Sequence, residues 1–124
     1  MNKTIKSILV ILLVSIGICV QAQMTEEAKI EYLINSVNTV PEGSKFIRNG
    51  TKHTTAAAID HLRTKYKRGK KYAKTAADFV ENIASKSSIS GRNYLIEFPD
   101  GKTITAKEFF TNNLKKLENN LKNQ

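Results

Sequence analysis

Apolar residues recur at helical spacing in several stretches of this chain, and the most informative stretch runs from Thr54 to Lys71. With Ile59 set at zero on a helical wheel, Leu62, Tyr66 and Ala73 fall on its side, while His61, Thr64, Arg68 and Lys71 fall roughly opposite. The pattern predicts a central amphipathic helix with a core-facing stripe and a basic outer face, on which His61 is expected to meet water.

Upstream, Thr25 is placed to cap a first helix, and Glu26 and Glu27 suit its dipole. Ile30, Leu33, Ile34 and Val37 form its apolar side, so it is expected to reach about Val37 before Pro41, Gly43 and Ser44 break it. Lys45 to Thr54 holds Asn49-Gly50 between short runs of strand-forming side chains. Both turn positions accept positive φ, which predicts a β-hairpin entering the central helix through Thr54 or Thr55 as its cap. Gly69 is the expected end of that helix, because glycine in a helix interior costs about 1 kcal/mol relative to alanine. Lys70 to Lys74 reads as a basic connector. Thr75, with Asp78 three residues on, starts a third helix in which Phe79, Val80 and Ile83 share a face, ending near Ser85.

Lys86 to Arg92 is rich in small hydroxyl residues that compete for backbone hydrogen bonds, which favours a turn. Tyr94 to Phe98 then reads as a strand, Pro99-Asp100-Gly101 as a turn and Lys102 to Ile104 as the return arm. Thr105-Ala106-Lys107-Glu108 is a complete capping box. Phe109, Phe110, Leu114, Leu117 and Leu121 supply the last helix's apolar side, ahead of a polar Asn/Lys tail expected to fray. Placing Gly50 over Gly101 sets Asn49 over Asp100, Thr54 over Thr105 and Ile59 over Phe110, so hairpin, threonine and helix occur twice, 51 residues apart. Identity is too low for a duplication, and chance reuse of turn chemistry competes with a shared plan. Under the shared plan the two hairpins pair into one small antiparallel sheet with helices on one face. The expected fold class is α+β: a single small domain over residues 23–124, with about four helices and two short antiparallel hairpins near residues 46–54 and 94–104.

The first residues stand apart from this scheme. Lys3 and Lys6 precede an almost wholly apolar run from Ser7 to Val20, and Val20-Gln21-Ala22 fits a signal-peptidase site, so residues 1–22 are expected to be a cleaved signal peptide. The apolar run falls short of the ~20 residues a membrane-spanning helix needs. Ile18 before Cys19, the single cysteine, disfavours a lipoprotein signal. Export to the periplasm or medium follows as an expectation. Among 124 residues there are 20 Lys and Arg against 11 Asp and Glu, a formal charge of +9. Without the leader this becomes 18 against 11, or +7. Such a field favours an anionic envelope component or an acidic protein surface, although solubility alone also accounts for it. No nucleic-acid motif accompanies the charge.

The span from about Ile30 to Leu117 resembles a family of small exported bacterial proteins, domain-of-unknown-function family 5329. The likeness is carried by Phe46-Ile47-Arg48-Asn49-Gly50, by His61-Leu62-Arg63 with Lys65-Tyr66, and by Lys74-Thr75-Ala76 with Asp78-Phe79. Ala84-Ser85-Lys86-Ser87-Ser88, Ser90-Gly91, Tyr94 and Asp100-Gly101 complete it. The resemblance implies export and a single-domain architecture, and it carries no catalytic residue.

Candidate chemistry is sparse. Two histidines eight apart, no cysteine after residue 22 and no clustered acids fit neither zinc nor calcium spacing, so no metal and no cofactor are expected. Ser87, Ser88 and Ser90 with a histidine and an acid supply the residue types of a small serine-dependent hydrolase, but Gly-x-Ser-x-Gly and Ser-x-x-Lys are absent. The stronger candidate is the basic face: Lys67, Arg68, Lys70, Lys71 and Lys74 lie within eight residues beside Tyr66 and Tyr72, although a solvated helix face is the commoner explanation of such a run. Arg63 borders the apolar stripe, placed either to tie down the Ser87 to Arg92 loop or to meet a ligand. The leading expectation is a non-enzymatic exported binding or accessory module. Its candidate binding residues are Arg63, Lys67, Arg68, Lys71, Ser87, Ser88, Arg92 and Tyr94. The alternatives are the serine hydrolase and an inhibitor or accessory subunit with an apolar interface.

Overall fold

The computed structural model describes residues 23–124. The expected leader, the cleavage expected after Ala22 and Cys19 lie outside the described residues. The described residues form four helices and two hairpins, in the order helix, hairpin, helix, helix, hairpin, helix. Helix α1 (Glu26–Asn35) continues into a 3-10 turn (Ser36–Thr39) and is followed by β1 (Lys45–Arg48) and β2 (Thr51–His53). Helix α2 (Thr55–Arg68) leads through a 3-10 turn (Lys70–Tyr72) to α3 (Ala76–Phe79), which widens into a π-helical turn (Val80–Ala84). The second hairpin, β3 (Leu95–Glu97) and β4 (Thr103–Thr105), feeds α4 (Ala106–Lys122).

Local chemistry sets most of these boundaries. Thr25, Thr54, Thr75 and Thr105 each cap a helix, their hydroxyls accepting from the backbone N–H three residues on. Asn49 and Gly50 adopt φ of 51° and 79°, closing the two-residue turn between the paired Arg48 and Thr51. Gly69 ends α2, and a Cβ there would stand 2.9 Å from Ile83 Cδ1, so a side chain at this position would push on the buried Ile83. Helix α4 keeps its turns through Lys122, further than the expected fraying of the polar tail. The basic connector after Gly69 is partly a 3-10 turn.

The two hairpins join through their first arms, giving one sheet in the order β2-β1-β3-β4, antiparallel throughout. Register aligns His53, Phe46, Ile96 and Ile104 in one row. Phe46 and Ile96 bury there under the helices, while the opposite row leaves Ile47 and Leu95 half-buried beside a Lys52–Glu97 ion pair of 2.9 Å. The core is completed by Ile30, Leu33, Ile34 and Val37 from α1 and its extension, Leu62 from α2, Phe79, Val80 and Ile83 from α3 and its π-turn, and Phe110 and Leu114 from α4. Phe79 packs edge-on against both Phe110 and Tyr66. No described helix is long and apolar enough to cross a membrane.

Candidate cationic cleft

Strand alternation and helix periodicity aim side chains from β1, β3 and α2 at one place. Arg48 lies two residues beyond Phe46, and Tyr94 two before Ile96, so both share the helix-covered side of the sheet. On α2, His61 and Lys65 are one turn apart and stack along the same side. The Tyr94 side chain, 6% exposed, brings these together: its hydroxyl lies 3.1 Å from Lys65 Nζ and 3.2 Å from His61 Nε2.

A protonated Lys65 can only donate. The Tyr94 oxygen therefore accepts from Lys65, and the Tyr94 hydroxyl and His61 Nε2 share a second bond whose direction follows the imidazole tautomer. Burial first, then the charges of Arg48, Lys65 and His53, lower His61 to about 4. Burial and the Arg48 charge lower Lys65 to about 8, and burial raises the Tyr94 hydroxyl. The expectation that His61 faces water is thus corrected: the sheet's Tyr94 reaches across to it, and the helical wheel of α2 alone cannot show a neighbour contributed by another element.

The fourth wall is the loop after the π-turn. Lys65 Nζ also donates to the Lys86 carbonyl at 2.6 Å, fixing the loop's start. Ser87 N–H donates to Arg92 O and Gly91 N–H to Ser87 O, both at 2.9 Å. Ser87 Oγ accepts from Ile89 N–H, Ser90 N–H and Asn49 Nδ2, and Ser90 Oγ donates to Asn49 Oδ1 at 2.5 Å. The hairpin turn and the serine loop are therefore clamped together through one asparagine amide. Ser87, 6% exposed, uses its oxygen as an acceptor to organise the loop, and His61 bonds to Tyr94 instead of to a serine.

Between α2 and this loop opens a cleft of about 570 Å³, lined by Arg48, Asn49, His61, Lys65, Arg68, Tyr72, Asn82, Ile83, Ser87, Ser88, Ile89 and Tyr94, with Thr64 and Gly69. No Asp or Glu is among them. Among the described residues, Arg48, Lys65 and Arg68 form no salt bridge, whereas Lys29, Lys52, Arg63, Lys70 and Lys107 do.

Of the residues singled out in the sequence, Arg68, Ser87, Ser88 and Tyr94 line this cleft, and Arg63, Lys67, Lys71 and Arg92 do not. Arg63 pairs with Glu31 and donates to Asn35 Oδ1 at 2.8 Å, so it ties α2 to α1 instead of tying the loop. Lys71 Nζ sits 5.0 Å from the centre of the Tyr72 ring, Lys67 is exposed further along α2, and the Arg92 guanidinium stands over the hairpin turn at Gly50. The lining adds Arg48, Asn49, His61, Thr64, Lys65, Gly69, Asn82, Ile83 and Ile89, and brings in Tyr72 from beside the basic run. Arg48, Asn49, His61 and Lys65 all fall within the motifs that carry the family resemblance, and that concentration is the one sequence feature that points to them.

Over the described residues, fold and cleft define a small single α+β domain with a cation-lined groove. The model of the family described as "Family of unknown function (DUF5329)" matches residues 24–118, and the chain belongs to that family. The "Uncharacterized protein YfeK" of Salmonella typhimurium strain LT2 is 33% identical over 92 residues, covering 74% of this chain and 76% of that protein. No solved structure matches the chain at a significant level.

Proposed function

We propose that this protein is an exported, non-enzymatic binding module that engages an anionic partner through the basic face of α2 and the cleft beside the serine loop. The observation that carries the reading is the convergence of Arg48, Lys65 and Arg68 on one concave surface without a carboxylate in its lining. Like charges held together cost self-repulsion, and an anion relieves it. Export is supported by the Lys3 and Lys6 leader and the apolar run that follows.

Retention on heparin-agarose tests this with a generic polyanion. The double variant R48E/R68E is expected to elute at clearly lower salt than a control, K115E/K116E, which changes the net charge equally on exposed positions of α4. Equal shifts from the two double variants would mean that overall charge, and no particular surface, governs retention, and the reading would fall.

A further inference from the structure

We infer that the cleft takes a single-chain anionic amphiphile, its charged head against Arg48, Lys65 and Arg68 and its alkyl chain against Tyr72 and Ile89. This rests on the reading that the site takes an anion, and it adds what kind of anion.

Three observations lead there. Ile89 is 98% exposed and Tyr72 58% exposed, and both belong to the lining of the same cleft as the three cations. The loop that presents Ile89 is already ordered by Ser87, Ser90, Asn49 and its own turn bonds. An apolar tip on a pre-ordered loop loses little conformational freedom when a ligand covers it, so it is suited to contact. At about 570 Å³ the space falls within the ~300–1,000 Å³ range of small-molecule sites.

The chemistry matches simpler occupants less well. A wholly hydrophilic anion leaves Ile89 and Tyr72 in water, and an uncharged lipid leaves the cations uncompensated. Lys65 is the sharpest case: its half-buried ammonium is held by a carbonyl and a phenol, both neutral, and burial with the Arg48 charge lowers it to about 8. An anionic head supplies the missing countercharge. Because the cations line a concavity, a free monomer reaches them more readily than a headgroup packed in a bilayer.

Calorimetric titration of the purified protein with dodecyl phosphate below its critical micelle concentration tests the inference, beside inorganic phosphate, dodecyl maltoside and phosphatidylglycerol vesicles. The expected result is one saturable site for dodecyl phosphate, at least tenfold tighter than for inorganic phosphate. R68Q and R48E/R68E should weaken it progressively, and I89S should weaken dodecyl phosphate severalfold while leaving inorganic phosphate unchanged. Dodecyl maltoside binding as tightly as dodecyl phosphate overturns the inference, as does equal binding of inorganic phosphate or binding to vesicles alone. Heparin retention that stays specifically sensitive to R48E/R68E in those cases leaves the broader anion-binding reading standing. Loss of both sinks the two together.

Discussion

At the scale of single residues, the informative trio is Lys65, Tyr94 and His61. Lys65 donates to the Tyr94 hydroxyl, which in turn bonds His61, and burial with the charges of Arg48 and Lys65 opposes charging of the imidazole. This has a consequence for acid stability. Above about pH 6.5 His61 is neutral whether the chain is folded or not. As pH falls toward about 4, the unfolded chain takes up a proton at this position that the folded chain refuses, so stability is lost on that limb. Glu26 and Glu81 also titrate below their ordinary 4.5, and their linked loss sets in only about one unit above that value, which leaves the upper part of the limb, from about pH 6.5 to about 5.5, to the histidine. H61Q, which retains a side chain able to accept from Tyr94, is expected to flatten the urea-midpoint profile across that window. A profile unchanged by the substitution would show that His61 does not resist protonation in the folded protein.

At the scale of elements, turn chemistry is used twice over. Asn49 supplies the positive φ of the first hairpin and also holds Ser87 and Ser90 through its amide. The two roles separate in N49G, since glycine keeps the backbone freedom and loses both side-chain bonds. With each hydrogen bond worth roughly 0.5–1.5 kcal/mol net, amide exchange at Ile89 and Ser90 should accelerate by roughly tenfold or more while the β1–β2 amides change little. Acceleration across the whole hairpin would instead mark Asn49 as a turn residue only. A second tie between elements is Glu26, whose carboxylate accepts from Ala76 N–H at 3.0 Å and so covers the start of α3 from α1. Arg63 is the comparable tie on α2, and its exposure limits it to the small contribution of a surface ion pair.

At the scale of the molecule, two hairpin-threonine-helix units join along β1 and β3, and their helices enclose one core with α1 and α3. The doubled plan visible in Asn49-Gly50 and Asp100-Gly101 is thereby realised as a continuous sheet. Phe110 lies fully buried where α4 meets α3, edge-on to Phe79 and Phe109. F110A is expected to cost about 3–5 kcal/mol in chemical denaturation, a large share of the ~5–15 kcal/mol typical of a domain. A cost below about 1 kcal/mol would show that the core does not depend on this junction.

The helices, caps and turns were legible because their causes are local. A threonine three residues before an amide hydrogen, an Asn-Gly pair able to take positive φ, and apolar residues three and four apart all act within one turn of chain. Arg68, Ser87, Ser88 and Tyr94 were legible as candidates for the same reason, being basic, hydroxyl or aromatic residues in exposed-looking segments. What tertiary structure alone decided is who meets whom: that β1 pairs with β3, that Tyr94 crosses to His61, that Arg63 turns to Glu31, and that Arg48 joins Lys65 and Arg68. Those meetings depend on residues tens of positions apart being brought together by burial of Phe46, Ile96, Phe79 and Phe110. Hydrophobic burial is non-directional, so the order of residues along the chain specifies that it happens without specifying which polar side chains it will leave facing one another.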